Sequence, residues 1–182
     1  MTTQHLIIIR GNSGSGKTTV ASALRGAMRE VFGQSNTMLV SQDVIRHIIL
    51  DGKGASPNQS LDLIYEICQN GMKYGQNVIL EGILELPKYG EMLNRIIAEW
   101  RGDVHVYYYD VPLEVTLERH DTRPQKELFT KDDMRDWYNS DNKLNVPNEW
   151  LFDESVSIDK AVRQMLADCT EGTYWDYVIV PV

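Results

Sequence analysis

Apolar residues recur along this chain with two periods, and the two periods alternate. The run Leu6-Ile7-Ile8-Ile9 is short, continuous and β-branched, as a strand buried on both faces requires. Val20, Leu24, Ala27, Met28 and Val31 then recur at helical spacing. Thr37-Met38-Leu39-Val40 predicts a second strand, and Val44, Ile45, Ile48 and Ile49 predict the buried side of a helix over Asp43 to Leu50. Asp51-Gly52-Lys53-Gly54 with Pro57 breaks that helix. A third helix carries Leu61, Ile64, Tyr65, Cys68 and Met72 and ends near Gly75. Val78-Ile79-Leu80 predicts a third strand, Lys88 to Trp100 a helix, and Val104 to Tyr109 a fourth strand.

Pro112 suits the first turn of a helix that runs toward His120, because its missing N–H costs nothing there. From Asp121 to Phe129 the pattern turns polar. A short helix is expected around Asp132 to Tyr138, a fifth strand at Trp150-Leu151-Phe152, and a helix capped by Ser157 through Leu166. Tyr177 to Val182, with Pro181, reads as an edge strand. Strand and helix in alternation imply an α/β domain with a parallel sheet and helices on both faces.

Between the first strand and the first helix stands Gly11-Asn12-Ser13-Gly14-Ser15-Gly16-Lys17-Thr18, a full G-x-x-x-x-G-K-[ST] phosphate-binding loop. Its glycines free the backbone to aim N–H groups inward at phosphate oxygens. Lys17 reaches the β- and γ-phosphates, Thr18 offers a hydroxyl to Mg²⁺, and Thr19 follows in the first helical turn. The ligand implied is a nucleotide with Mg²⁺, which the kinase resemblance given below makes ATP.

In a doubly wound sheet the ligand lies beyond the carboxyl ends of the strands. Three acidic residues follow strands directly: Asp43, Glu81 and Asp110. Asp43 has Arg46 on the same face of its helical turn. Glu81-Gly82 suits either a water on Mg²⁺ or a substrate hydroxyl, with Gly82 admitting close approach of backbone to ligand. Asp110 shapes the turn into its helix. Arg119 and Arg123 flank the start of the polar stretch, where arginines delivered by a closing segment would neutralise a transferring phosphoryl group. Trp137-Tyr138 fits either a substrate cover or core packing.

Composition narrows the partners. The 182 residues, 42% hydrophobic and 24% charged, fit one domain over 1–182, with a lid at about 119–138. A net charge of −8 argues against a nucleic-acid backbone as partner. No apolar stretch is long enough to span a bilayer, and a cytoplasmic location is expected. Cys68 and Cys169, and the four scattered histidines, show no metal-ligand spacing. Nothing in the sequence fixes an oligomeric state.

The phosphate loop, Asp43-x-x-Arg46 and Arg119-x-x-x-Arg123 resemble the P-loop small-molecule and polynucleotide 5′-hydroxyl kinases, and the layout is similar to chloramphenicol phosphotransferase and zeta-toxin-type kinases. The resemblance covers most of the chain up to about Leu166. It implies a three-layer α/β/α P-loop NTPase fold with strand order 2-3-1-4-5. It further implies Asp43 as general base toward an acceptor hydroxyl, Arg119 and Arg123 on ATP phosphates, Arg46 on the acceptor, and adenine near Asp153 to Ser157. The acidic balance favours a small-molecule hydroxyl acceptor over a polynucleotide, with a nucleoside or nucleotide as the alternative. A GTPase-like switch or a nucleotide-binding regulatory module is the reading from another class. Asp51-Gly52-Lys53-Gly54 fits D-x-x-G, but Asn142-Lys143-Leu144-Asn145 lacks the carboxylate that guanine needs at its last position.

Overall fold

A computed structural model describes residues 3–52, 57–121 and 129–170. Five parallel strands, β1 (His5–Gly11), β2 (Thr37–Ser41), β3 (Asn77–Gly82), β4 (Asp103–Tyr109) and β5 (Glu149–Phe152), form one sheet in the order 2-3-1-4-5. The order implied by the resemblance is the order observed. Central β1 is buried along its whole length, because strands flank it on both edges and helices cover it on both faces.

Alternation along β1 and β4 divides the interior in two. Leu6 and Ile8 point with Val78, Leu80 and Val106 into the core beneath α3 (Pro57–Lys73) and α4 (Leu86–Glu99). Ile7 and Ile9 point with Ile79, Tyr107 and Tyr109 toward α1 (Lys17–Phe32) and α7 (Ile158–Thr170). Val20, Leu24 and Met28 of α1 and Ala161, Met165 and Leu166 of α7 complete that second core. The helical periods therefore predict the buried faces of these helices correctly. Ser157 Oγ accepts from Lys160 N at 3.2 Å at the start of α7, as expected of its cap.

The segment after β2 departs from expectation. Only Gln42–Val44 (α2) is α-helical, and Ile45–Ile49 forms a π turn closed by Leu50 N donating to Ile45 O at 3.0 Å. A π turn takes more residues per revolution than an α-helix, so positions three and four apart no longer share one face. Ile45 alone is buried; Val44, Ile48 and Ile49 are exposed, Ile48 to 74%. Pro57 begins α3 rather than merely ending the segment before it.

α5 (Leu113–Asp121) and α6 (Lys131–Trp137) follow β4. A capping box in which Thr130 and Asp133 exchange hydrogen bonds starts α6. The edge strand expected at Tyr177 to Val182 lies outside the described residues. Among the described residues no helix is long and apolar enough to cross a membrane.

Candidate functional site

The phosphate loop emerges from the carboxyl end of β1 into the N-terminus of α1. Gly11 has φ +146°, and a Cβ there would lie 2.7 Å from Tyr109 O, so neither the backbone nor the space admits a side chain. Gly16, at φ +103°, precedes α1 with no side-chain cap. Lys17 is buried; its Nζ donates to Asn12 O at 2.8 Å and to Ser15 Oγ at 3.3 Å, which folds the ammonium back over the loop. Thr18 and Thr19 are exposed at the first helical turn, and Ser13 is partly exposed.

Glu81 connects this loop to the neighbouring strand. Only 2% exposed, it accepts from Thr18 Oγ1 at Oε2 (3.1 Å) and from Ser41 Oγ at Oε1 (2.5 Å). One buried carboxylate thus ties the end of β3 to the loop hydroxyl and to the end of β2. Gly82 has a different use from the one expected. A Cβ there would lie 2.4 Å from Gln42 Oε1, so the glycine makes room for the buried Gln42 side chain, whose Oε1 accepts from Leu84 N at 3.1 Å. The close approach is to the protein's own amide.

Asp43 sits in the first turn of α2 and is exposed; Arg46 lies within the π turn and is partly buried. Among the described residues the two form no ion pair with one another. They lie two and five residues beyond Ser41, with Asp43 open to solvent and Arg46 partly so.

Arg119 comes from the last turn of α5 and reaches the loop: Nη1 donates to Ser15 O at 3.2 Å and Nη2 to Glu154 O at 3.3 Å. It bridges the phosphate loop to the Asp153 to Ser157 turn, where the resemblance implies adenine. Arg123 lies outside the described residues. Gly14 packs on the same helices, since a Cβ there would meet Thr116 O at 3.0 Å and Met134 Cε at 3.1 Å. His120 stacks on Phe129, with centroids 4.9 Å apart, and Phe129 meets the half-exposed Trp137. Tyr138 OH donates to Val111 O at 3.4 Å.

The residues after α6 close over the ends of the strands through contacts that no local pattern announces. Asn12 Nδ2 donates to Asn139 O at 2.9 Å and Asn139 N returns a bond to Asn12 Oδ1 at 3.1 Å. Asn142 is fully buried; its Oδ1 accepts from Leu86 N at 2.8 Å and its Nδ2 donates to Ile83 O at 3.5 Å. Lys143 Nζ pairs with Asp110 at 2.9 Å. The Asn142-Lys143 pair that partly matches a guanine-reading motif is committed to these contacts, and so is Asp110.

Arg10, one residue before the loop, is fully buried and was not singled out by the sequence. Its Nε and Nη2 donate to Leu84 O at 3.3 and 2.9 Å, and Nη1 lies 3.6 Å from Glu149 Oε1. Burial pushes the Arg10 pKa down, with Glu149 opposing. Glu149 also accepts from Leu144 N and Asn145 N, at 3.0 and 2.8 Å. Arg10 therefore fastens the closing segment to the central strand. Arg10→Met is expected to cost about 3 kcal/mol, the low end for stripping one partner from a buried ion pair, because Glu149 keeps its two amide donors. Urea denaturation monitored by circular dichroism measures it; an unchanged midpoint would remove Arg10 from this role.

The parallel 2-3-1-4-5 sheet and the loop feeding α1 are those of the P-loop kinase-like fold. A family model described as Zeta toxin matches residues 2–138, and the chain belongs to that family. Solved structures share the fold. The chain is similar to the APS kinase CysC of Mycobacterium tuberculosis in complex with AMPPNP and APS (20% identity, TM-score 0.69, covering 94% of this chain and 99% of that one). It is also similar to Kti12 of Chaetomium thermophilum in complex with ADP-AlF3 (17%, 0.66, 92% and 98%) and to a gluconokinase of Sinorhizobium meliloti 1021 (16%, 0.59, 98% and 100%). No curated protein matches the sequence at a significant level.

Proposed function

We propose that this chain is an ATP-dependent phosphotransferase that moves the γ-phosphoryl group of ATP to a hydroxyl of a small-molecule acceptor. The observation that carries the reading is Glu81, a buried carboxylate whose two oxygens hold the hydroxyls of Thr18 and Ser41. It joins the phosphate loop to the strand that leads directly into Asp43. It sets the hydroxyl that would face Mg²⁺ beside the strand that leads to the residue read as general base, which supports transfer.

The donor set at Thr18 and Glu81 is all oxygen, a hydroxyl beside a carboxylate, which fits Mg²⁺. Thr18 would ligate the ion and Glu81 one of its waters, and when bound the ion supplies charge neutralisation at the β- and γ-phosphate oxygens. The chain's own groups do the rest. Lys17 places a positive charge at the phosphates, and Arg119, already against the loop at Ser15 O, adds a second. Arg46 holds the acceptor. Asp43 takes the proton of the acceptor hydroxyl as the new O–P bond forms and the bond to the β-phosphate oxygen breaks, leaving ADP. Residues 119–138, with Arg123, act as the lid.

The gluconokinase and the APS kinase are named for small acceptors, and the acidic balance of this chain supports one of that size. A screen of sugars, nucleosides, antibiotics, hydroxyl metabolites and 5′-hydroxyl oligonucleotides should reveal a small molecule that raises ADP release above the protein's own ATP hydrolysis. Stimulation by oligonucleotides alone would move the acceptor to polynucleotide ends. Stimulation by none would favour the regulatory module, and a preference for GTP over ATP would restore the switch.

A further inference from the structure

The amino end of the sheet, opposite the phosphate loop, holds a second cluster of chemistry-bearing side chains. His5 opens β1, His105 is the third residue of β4, and Cys169 lies in the last turn of α7. His5 Nδ1 and His105 Nε2 are 3.2 Å apart, and one ring nitrogen from each histidine and Cys169 Sγ all lie within 4.8 Å of one another. His5 and Cys169 are buried and His105 is half-buried. Two carboxylates stand around them. Asp103 Oδ2 is 3.9 Å from His5 Nδ1, and Asp168, next to Cys169, accepts from Tyr107 OH at 2.5 Å and from Gln164 Nε2 at 2.8 Å. A cleft of about 340 Å³ lined by Asp103, His105, Asn148, Trp150 and Asp168 reaches the cluster from solvent.

We propose that His5 Nδ1, His105 Nε2 and Cys169 Sγ bind one borderline-soft divalent metal ion of the zinc class, with Asp103 as the near carboxylate for the fourth position. Tetrahedral bonds of about 2.05 Å put two ligating nitrogens about 3.3 Å apart, close to the separation seen. The other explanation for that distance is a hydrogen bond between one ring's N–H and the other's lone pair. It accounts for the two rings but gives no use to the thiol that completes the triangle. Two imidazoles and a thiolate favour zinc, cobalt or copper over magnesium or calcium, which take oxygen. The three ligands come from three elements, so an ion here clips α7 to both β1 and β4. Burial is the main cause holding both rings below the usual imidazole range, which keeps their nitrogen lone pairs available. It also raises the Cys169 thiol to about 12, so binding must break the S–H bond, form the S–metal bond and release the proton to solvent.

Cobalt(II) is the probe, because a thiolate ligand gives it a charge-transfer band that an all-oxygen site cannot give. Chelator-treated, fully reduced protein should take up about one equivalent with that band and with the visible bands of tetrahedral cobalt, unaffected by excess Mg²⁺. Zinc should displace it and raise the thermal midpoint by a few degrees. Cys169→Ser should abolish the charge-transfer band, and Cys68→Ser, in the opposite core, should leave it. His105→Asn supplies an independent loss should the serine variant fail to fold. Absence of the band at saturating cobalt, or an equal band in Cys169→Ser, overturns the proposal. Neither result bears on phosphoryl transfer at the other end of the sheet.

Discussion

Asp43→Asn is expected to slow phosphoryl transfer about 10²–10⁴-fold while leaving ATP affinity nearly unchanged. The amide matches the carboxylate in shape, so the first turn of α2 should be undisturbed, and the exposed side chain has no ion pair among the described residues for the change to break. What disappears is the capacity to take a proton. The loop that binds the nucleotide is built from other residues, so calorimetric titration with a non-hydrolysable ATP analogue should separate the two effects. The measurement is kcat for the acceptor found by screening. Transfer at the unsubstituted rate would assign the proton to another group and remove Asp43 from the mechanism.

Glu81→Gln should reduce kcat about 10²–10³-fold, the range for removing one fixed electrostatic group from a transition state, and should raise the Mg²⁺ concentration needed for half-maximal rate. The geometry makes this variant clean. The hydroxyls of Thr18 and Ser41 each donate to one Glu81 oxygen, and a hydroxyl can equally accept, so the glutamine –NH₂ finds a partner after one hydroxyl rotates. The fold should survive with the charge gone. Truncation to alanine would also leave the buried Ser41 hydroxyl without its carboxylate partner and confuse stability with catalysis. Normal kcat and an unchanged Mg²⁺ requirement in Glu81→Gln would reduce Glu81 to a tie between strands.

The parts of this molecule that repeat a simple period could be read directly. β1, α1, α4 and α7 bury the faces their spacing predicts, and the phosphate loop needs only eight consecutive positions. Strand order came from resemblance, because no local pattern states which strands are neighbours. Period reasoning failed at Val44, Ile48 and Ile49, where a π turn changes the residues per revolution and sends an apparently buried stripe to the surface. Arg10 escapes a sequence reading for a related reason. A charge at a strand end beside a polar loop looks solvent-facing, and its partner Glu149 lies far away in sequence across the β4–β5 edge. The histidine and cysteine cluster was invisible to spacing because its three members come from three separate elements. A topological rule about strand ends, which needs only approximate strand limits, singles out Asp43 and Glu81 as candidates.

The pair of hydrogen bonds between Asn12 and Asn139 makes the phosphate loop and the start of the closing segment mechanically one piece. Any molecule that prefers one placement of that segment must then change the loop's affinity for nucleotide, and nucleotide must change that molecule's affinity by the same factor. Coupling between nucleotide and any such molecule would then run through two asparagines, open to adjustment without altering Lys17 or Thr18.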